Sequence, residues 1–382
     1  MHRVLVVGAG VGGLAAAHRL RQRLAPEDEI WLFDRRREHI FWPSLLWVLT
    51  GTRRPEQVAR PLDALRERNL RLVQAEVSAI DPTGPSVTAG GRTWTGDALV
   101  LALGADLDPA GVPGLAEAGH NLYTVAGSAS GFQALEALTG GQVVVLIAGV
   151  PFKCPAAPYE AAMLVEGYLR RRRRRQAVAV SVWAAEATPM GVAGPAVSQA
   201  VTDALAQRDI AYHPDHRVVR VDPARRRIRF DAGTEIGYDL LLYVPPHRVP
   251  DPVAASGLAP RDGWVRVDPR TLQTGWERVW AIGDVTGITL PSGKLLPKAG
   301  VFAHREGDVV AERIAALFAG RDEAPVFDGH GECFIEMGGG VAGFARGDFY
   351  AEPVPVVRAY RPGRHWHLAK IGFERSWWAQ WW

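Results

Sequence analysis

Apolar residues in this chain gather into short unbroken runs rather than alternating with polar ones. Residues 2–7 (His-Arg-Val-Leu-Val-Val), 30–33 (Ile-Trp-Leu-Phe), 97–105, 142–148 and 280–285 each read as a strand buried on both faces. That habit belongs to parallel sheets covered by helices. Helix-like stretches follow at 14–20, 161–169 and 303–318. Strand then helix, repeated, predicts an α/β fold of two Rossmann-like three-layer domains with a small C-terminal α+β unit. The first domain takes residues 1–108 and 266–318, the second 109–265, and the C-terminal unit 319–382. Gly111-Val-Pro-Gly114 and the Pro-rich 245–250 mark the crossings.

The turn after the first run carries chemistry. Gly8-Ala-Gly10-Val-Gly12-Gly13 joins strand to helix. Gly8 permits the tight turn, Gly10 lets backbone amides reach a pyrophosphate, and Gly13 allows close helix–strand packing, while the helix N-terminus adds partial positive charge. The second strand ends at Asp34, about twenty residues after the last glycine, where a ribose hydroxyl acceptor is expected. A glycine loop alone is a weak signal; strand, loop, helix and acid together predict a dinucleotide site. A second such loop is missing. The run 142–148 leads into Gly149-Val-Pro151-Phe-Lys153-Cys154-Pro155, with a proline and a lysine where a pyrophosphate needs bare backbone. A nicotinamide donor is therefore not expected, and a cysteine stands near the place it would use.

Two further segments, 97–105 closing on Gly104 and 280–285 closing on Gly283-Asp284, complete an order that resembles the FAD-dependent disulfide oxidoreductase-like superfamily. Within it the chain resembles sulfide:quinone oxidoreductase and the flavoprotein subunit of flavocytochrome c sulfide dehydrogenase. The resemblance rests on residues 153–162 (Lys-Cys-Pro-Ala-Ala-Pro-Tyr-Glu-Ala-Ala), 297–303 (Pro-Lys-Ala-Gly-Val-Phe-Ala), Cys333 ahead of a glycine-rich stretch, Phe41-Trp-Pro43-Ser-Leu and Lys370-Ile-Gly-Phe373-Glu, and it covers nearly the whole chain. It implies an FAD enzyme that oxidises hydrogen sulfide to sulfane sulfur or polysulfide and passes electrons to a quinone. It also implies that Cys154 and Cys333, the chain's only cysteines, flank the flavin and carry sulfur as a disulfide, persulfide or polysulfide bridge. The plainer reading, that each is a small buried hydrophobe, stands beside it. A third cysteine found in many relatives is absent, as is any cysteine in the first 150 residues that would tether flavin, so the FAD is expected to be noncovalent.

By the same resemblance the flavin is held by Gly8, Gly10, Gly12, Gly13, Asp34, Arg35, Pro43, Val77, Ala102, Gly104, Gly283, Asp284, Lys298 and Gly300. Lys298 and Gly300 are candidates for the pyrimidine edge, with a surface lysine as the bland alternative. Glu160 is a proton-relay candidate or a helix cap. Phe344, Phe349, Tyr350 and Phe373, with Pro43, are candidates for the wall of a quinone channel, although aromatic residues are more often ordinary core. The implied chemistry is hydrosulfide attack on a Cys154–Cys333 bridge, release of one thiolate, and transfer of two electrons from the thiolate nearer the flavin, assigned to Cys333.

Composition adds limits. The chain has 382 residues, 47% of them apolar, enough for large cores, and two cysteines are too few for a disulfide scaffold. Charge is nearly balanced, 44 basic against 41 acidic residues, and the run Arg170–Arg175 has no interleaved aromatics. Nucleic acid is not an expected partner; the run suits a solvated helix C-terminus. The histidines show no metal spacing beyond His365-x-His367, read as incidental, and no metal is expected. With a strand starting at residue 2 and no apolar run of membrane-spanning length, neither a signal peptide nor a transmembrane helix is expected. The tail, however, places Trp366, Phe373, Trp377 and Trp381 on one helical stripe, with Trp378 and Trp382 beside it. This predicts peripheral attachment to the cytoplasmic side of a membrane. The alternative is a helix folded onto the core or across a homo-oligomer contact. Three readings follow: a membrane-surface sulfide:quinone oxidoreductase, a soluble sulfide or persulfide dehydrogenase with a cytochrome or other acceptor, and a flavoprotein redox switch.

Overall fold

Two parallel five-stranded sheets carry the buried runs. The computed structural model describes residues 1–260 and 263–382. The first sheet has spatial order Val279–Ala281, Ala98–Leu101, Arg3–Val7, Glu29–Asp34, Arg71–Gln74. Val4, Leu5 and Val6 at its centre are fully buried: Val4 and Val6 pack under helices on one face, and Leu5 packs on the other face against the strands that carry Val77, Ile80 and Val87. The second sheet runs His120–Asn121, Leu240–Val244, Gly141–Ile147, Val178–Ala184, Ile210–His213. Each is accompanied by a three-stranded antiparallel sheet, Val77–Asp81 to Arg92–Thr95 for the first and Val218–Asp222 to Glu235–Gly237 for the second. The mixed α/β architecture read from the hydrophobic runs is the one observed.

Residues 330–381 form a last antiparallel sheet, His330–Glu336, Ala342–Asp348 and Val356–Gly363, that feeds the helix Arg364–Trp381. Cys333 pairs with Ala345 in this sheet. The arginine run is mostly tied down at the end of the helix Ala157–Arg171. Arg170 pairs with buried Glu166 at 2.6 Å, and Arg174 donates to the carbonyls of Glu136 and Leu138.

The tryptophan tail needs correction. The helix forms as read, but the stripe divides: Phe373 is 43% exposed, while Trp377 and Trp381 face protein, 2% and 3% exposed. They pack on His39, Phe41, His18 and His304, which come from three segments of the first domain. Trp378 lies under the Arg60 guanidinium at 4.7 Å, and the Trp382 indole donates to the Pro61 carbonyl. The physical reason is that these segments offer the stripe a matching aromatic face, so its apolar area leaves water against protein without lipid. Among the described residues no helix is long and apolar enough to cross a membrane.

Candidate functional site

The glycine loop and the acid Asp34 lie at the rim of the first parallel sheet. Gly8 has φ +106°, and a side chain there would strike the Ala102 carbonyl; a side chain at Gly13 would strike the Gly8 carbonyl. Both must therefore be glycine for helix Val11–Arg23 to start where it does. Above Gly10 lies open space, bordered by that helix N-terminus. Asp34 ends its strand, buried, and accepts from the amides of Ala9 and Arg36, both at 2.8 Å. Arg35 beside it is held by Glu76 and Asp106, and Val77 opens the adjoining strand. Ala102 and Gly104 follow the strand Ala98–Leu101 under the loop, and Gly12 packs on the Ala303 carbonyl of helix Gly300–Phe318.

The late loop completes this rim. Among the described residues the half-buried Asp284 carboxylate takes no hydrogen bond, leaving an acceptor free. Gly283 donates its amide to Glu306, which is fully buried and whose carboxyl is pushed up to about 7 by that burial. Glu306 was not singled out in the sequence; the available signal was an acid on the apolar stripe of an otherwise ordinary core helix. Lys298 is buried too, but its ammonium is already engaged. It donates to the carbonyls of Asp284 (2.6 Å) and Thr286 (2.9 Å) and sits 3.4 Å from the Trp264 ring. Burial lowers its pKa to about 8. Here Lys298 is a strut for the Asp284 loop. Gly300 opens the helix Gly300–Phe318 against Val11.

Cys154 and Cys333, distant in sequence, pack against one buried cluster with Ile335, Tyr159 and Met163. Both are free thiols. Cys154 has a left-handed backbone, φ +49°, uncommon for a side-chain residue and indicative of a constrained loop. Its amide donates to the Lys298 carbonyl at 2.6 Å, and its carbonyl accepts from Ala157 and from the Tyr123 hydroxyl. The loop that carries one thiol is therefore bonded to the strut that carries the late acid. Burial, then the Glu160 charge, pushes the Cys154 thiol up to about 12; burial and the Cys154 charge push Cys333 up well above its usual range.

Glu160 neither caps its helix nor faces water. It is 3% exposed, bonds the Lys370 ammonium at 2.9 Å and accepts the Glu336 amide at 2.8 Å. Burial opposes the Lys370 charge, but Glu160 and Glu336 outweigh it and raise its pKa. Glu336 in turn faces His367 Nδ1 at 3.0 Å, and burial raises its carboxyl pKa. Glu336 was not singled out in the sequence, where Lys370 reads as a cation beside the tail aromatics, suited to a membrane interface; their contacts with Glu160 show only once strand and helices are packed together.

The four aromatic candidates separate. Phe344 stacks on Trp366 at 4.3 Å and meets Phe334 at 5.1 Å; Phe373 meets Phe334 at 6.3 Å and Phe41 at 5.5 Å, beside the turn that holds Pro43. Phe349 instead packs on Phe302 at 5.1 Å, and Tyr350 packs on Phe327 and donates to the Pro269 carbonyl. The chain turns after the strand Ala342–Asp348, so Phe349 and Tyr350 face the first domain's core, apart from the Phe344–Phe373 layer.

The model of the family described as pyridine nucleotide-disulphide oxidoreductase matches residues 2–307. The chain belongs to that family. It is 27% identical over 369 residues to the mitochondrial sulfide:quinone oxidoreductase of Mus musculus, covering 92% of this chain and 79% of that protein. It is 26% identical over 392 residues to the sulfide-quinone reductase of Aquifex aeolicus, covering 97% and 89%. The solved sulfide:quinone oxidoreductase of Aquifex aeolicus superposes with a TM-score of 0.89 over all of this chain and 91% of that one, at 26% identity. The protein is an FAD-dependent oxidoreductase. The residues fit that cofactor: an open glycine loop at a helix N-terminus for the pyrophosphate, and two strand-end acids, one of them unpartnered, for its hydroxyl-bearing parts.

Proposed function

We propose that this protein oxidises sulfide at Cys154 and Cys333 and delivers the electrons, through FAD, to a quinone. The supporting observation is the convergence of its only two cysteines on one buried patch bonded to the Asp284–Lys298 segment. Bound FAD supplies a two-electron acceptor. Hydrosulfide attack on the bridged pair breaks its S–S bond, forms a new one to the incoming sulfur, and frees the other cysteine as thiolate. Burial makes that thiolate a high-energy, strongly nucleophilic donor.

Quinone reduction takes up two electrons and two protons. The Phe41, Phe334, Phe344, Phe373 and Trp366 layer suits a flat apolar ring, and Lys370, on the same tail helix as Trp366 and Phe373, pairs with Glu160 of the helix Ala157–Arg171. Glu336 and His367, whose side chain is 22% exposed, extend the polar line to the surface. Lys370 and Glu160 are assigned to proton delivery, His367 to resupply from water.

Peripheral membrane attachment rests on the outer face of the tail helix. Leu368 and Phe373 are 65% and 43% exposed, and Arg364 and Arg375 are exposed beside them. The burial of Trp377 and Trp381 favours the second reading, a soluble enzyme with another acceptor, by removing the tail's strongest argument for lipid. Anaerobic sulfide titration followed at the flavin absorbance tests the first half-reaction, and flavin that stays oxidised would sink it. Turnover with decylubiquinone against cytochrome c, with and without liposomes, decides the acceptor.

A further inference from the structure

Ala9 lies in the middle of the glycine loop, and both of its backbone polar groups are held. Its N–H donates to Asp34 Oδ2, and its carbonyl oxygen lies 3.0 Å from His39 Nδ1. The other ring nitrogen of His39, Nε2, is 3.1 Å from the indole Nε1 of Trp377. An indole nitrogen only donates. His39 Nε2 must therefore accept, which puts the imidazole proton on Nδ1, where it donates to Ala9. One neutral tautomer satisfies the whole line, and burial of His39 keeps it neutral. The helix supplying the indole is clamped to the same region, since Glu374 accepts from Ser44 Oγ at 2.6 Å and pairs with Arg53 at 2.7 Å.

The Ala9 carbonyl shares its peptide plane with the Gly10 N–H, and the two point in opposite directions. Holding the oxygen toward His39 aims the Gly10 N–H away from it. Among the described residues that N–H has no protein acceptor, and the space above Gly10 is open. We propose that His39 and Trp377 are positioning residues for the FAD pyrophosphate: the docked tail helix fixes the His39 tautomer, and His39 orients the Ala9–Gly10 peptide whose N–H meets the cofactor. Without the indole donor, His39 Nε2 is a buried acceptor with no partner. A tautomer switch that repairs it removes the proton from Nδ1 and releases Ala9, and the peptide is then free to turn.

Trp381 provides the control. It is as deeply buried on the same helix and packs at a tilt on His18 and His304, but its indole N–H has no partner among the described residues. Trp377→Phe and Trp381→Phe thus remove comparable packing, and the first alone breaks the line. The as-purified holoenzyme is diluted, free flavin is followed by its fluorescence, and secondary structure is followed in parallel by circular dichroism. Trp377→Phe should bind FAD about tenfold more weakly, the size of one buried hydrogen bond, with its secondary structure intact, and Trp381→Phe should stay within about twofold of the parent. The double variant His39→Asn/Trp377→Phe restores a donor near the Nδ1 position that needs no indole, and should recover most of the lost affinity. Equal weakening in the two single variants, flavin release that only accompanies loss of helix signal, or a double variant as weak as Trp377→Phe would overturn the assignment.

Discussion

Reduced Cys154 should react slowly with disulfide reagents, and two charge variants should move its rate in opposite directions. With the thiol pushed up to about 12, about one part in ten thousand is thiolate at pH 8; an ordinary cysteine near 8.5 has about a quarter. That difference is about three and a half decades of reactive form. The greater nucleophilicity of a more basic thiolate, with a Brønsted slope of about 0.45, returns about one and a half of them. About a hundredfold slower reaction than free cysteine remains, before access is counted. The assay is modification of the anaerobically reduced protein by methyl methanethiosulfonate, with Cys154 and Cys333 resolved by peptide mass. Glu160→Gln removes the first charge raising the thiol and should speed the reaction. Lys370→Met removes the cation opposing that shift and should slow it further. Each variant also breaks a buried pair, at a cost of about 3–5 kcal/mol, so rates are compared only for samples with the parent's circular dichroism. Reaction of the parent within a few fold of free cysteine, or the same direction in both variants, would refute the electrostatic account. The same unfavourable charge serves the proposed reaction, because a thiolate freed by sulfide attack in this setting is poorly stabilised where it forms.

Cys154→Ser and Cys333→Ser should each lose nearly all sulfide-dependent flavin reduction and keep their FAD, read by the flavin spectrum; most activity surviving in either contradicts the paired mechanism. NADH should reduce the flavin far more slowly than sulfide, because Pro151 and Lys153 stand in the loop after Gly141–Ile147; rapid bleaching by micromolar NADH would reverse that assignment. Burial lowers the pKa of His18 and His39 to about 4, so between pH 6.5 and 4 the unfolded chain holds protons the native state lacks. Stability should therefore fall as pH drops through that window, by up to about 3 kcal/mol for each imidazole, and His18→Leu should flatten the decline in urea midpoints. Deleting residues 377–382 removes two buried indoles, each deletion of that kind costing about 3–5 kcal/mol; a truncated protein with the parent's urea midpoint and flavin content would show that the tail is peripheral after all.

What could be read from the sequence follows the range of the interactions involved. The runs at 2–7 and 142–148 are strands because their burial is set by sheet layers that their own composition announces, whereas the run read over 280–285 is strand only at Val279–Ala281 and turns at Gly283–Val285. Gly13 is required by the carbonyl of Gly8 close by in the chain, while Gly8 is required by the Ala102 carbonyl of a distant strand end. The tail shows where that legibility stops. Its stripe was visible, since helical spacing is local, but whether a stripe of indoles meets lipid or protein depends on His18, His39, Phe41 and His304, which no spacing rule places opposite it. Phe349 and Tyr350 differ from Phe344 in the same way: a strand ends between them, and a few residues of chain decide which domain they face. Charges were harder still. Lys298, a flavin-edge candidate by resemblance, has its ammonium bound to two carbonyls, while Lys370 pairs with Glu160 behind the cysteines. A lysine's residue type is identical in both places; only the acceptors around it distinguish one held by two carbonyls from one paired with a buried carboxylate. The tail helix consequently does two jobs that its composition hides, since Lys370 reaches the thiol side and Trp377, two turns later, reaches the glycine loop. The proposed sulfur chemistry and the proposed cofactor grip are thereby tied to the docking of one element.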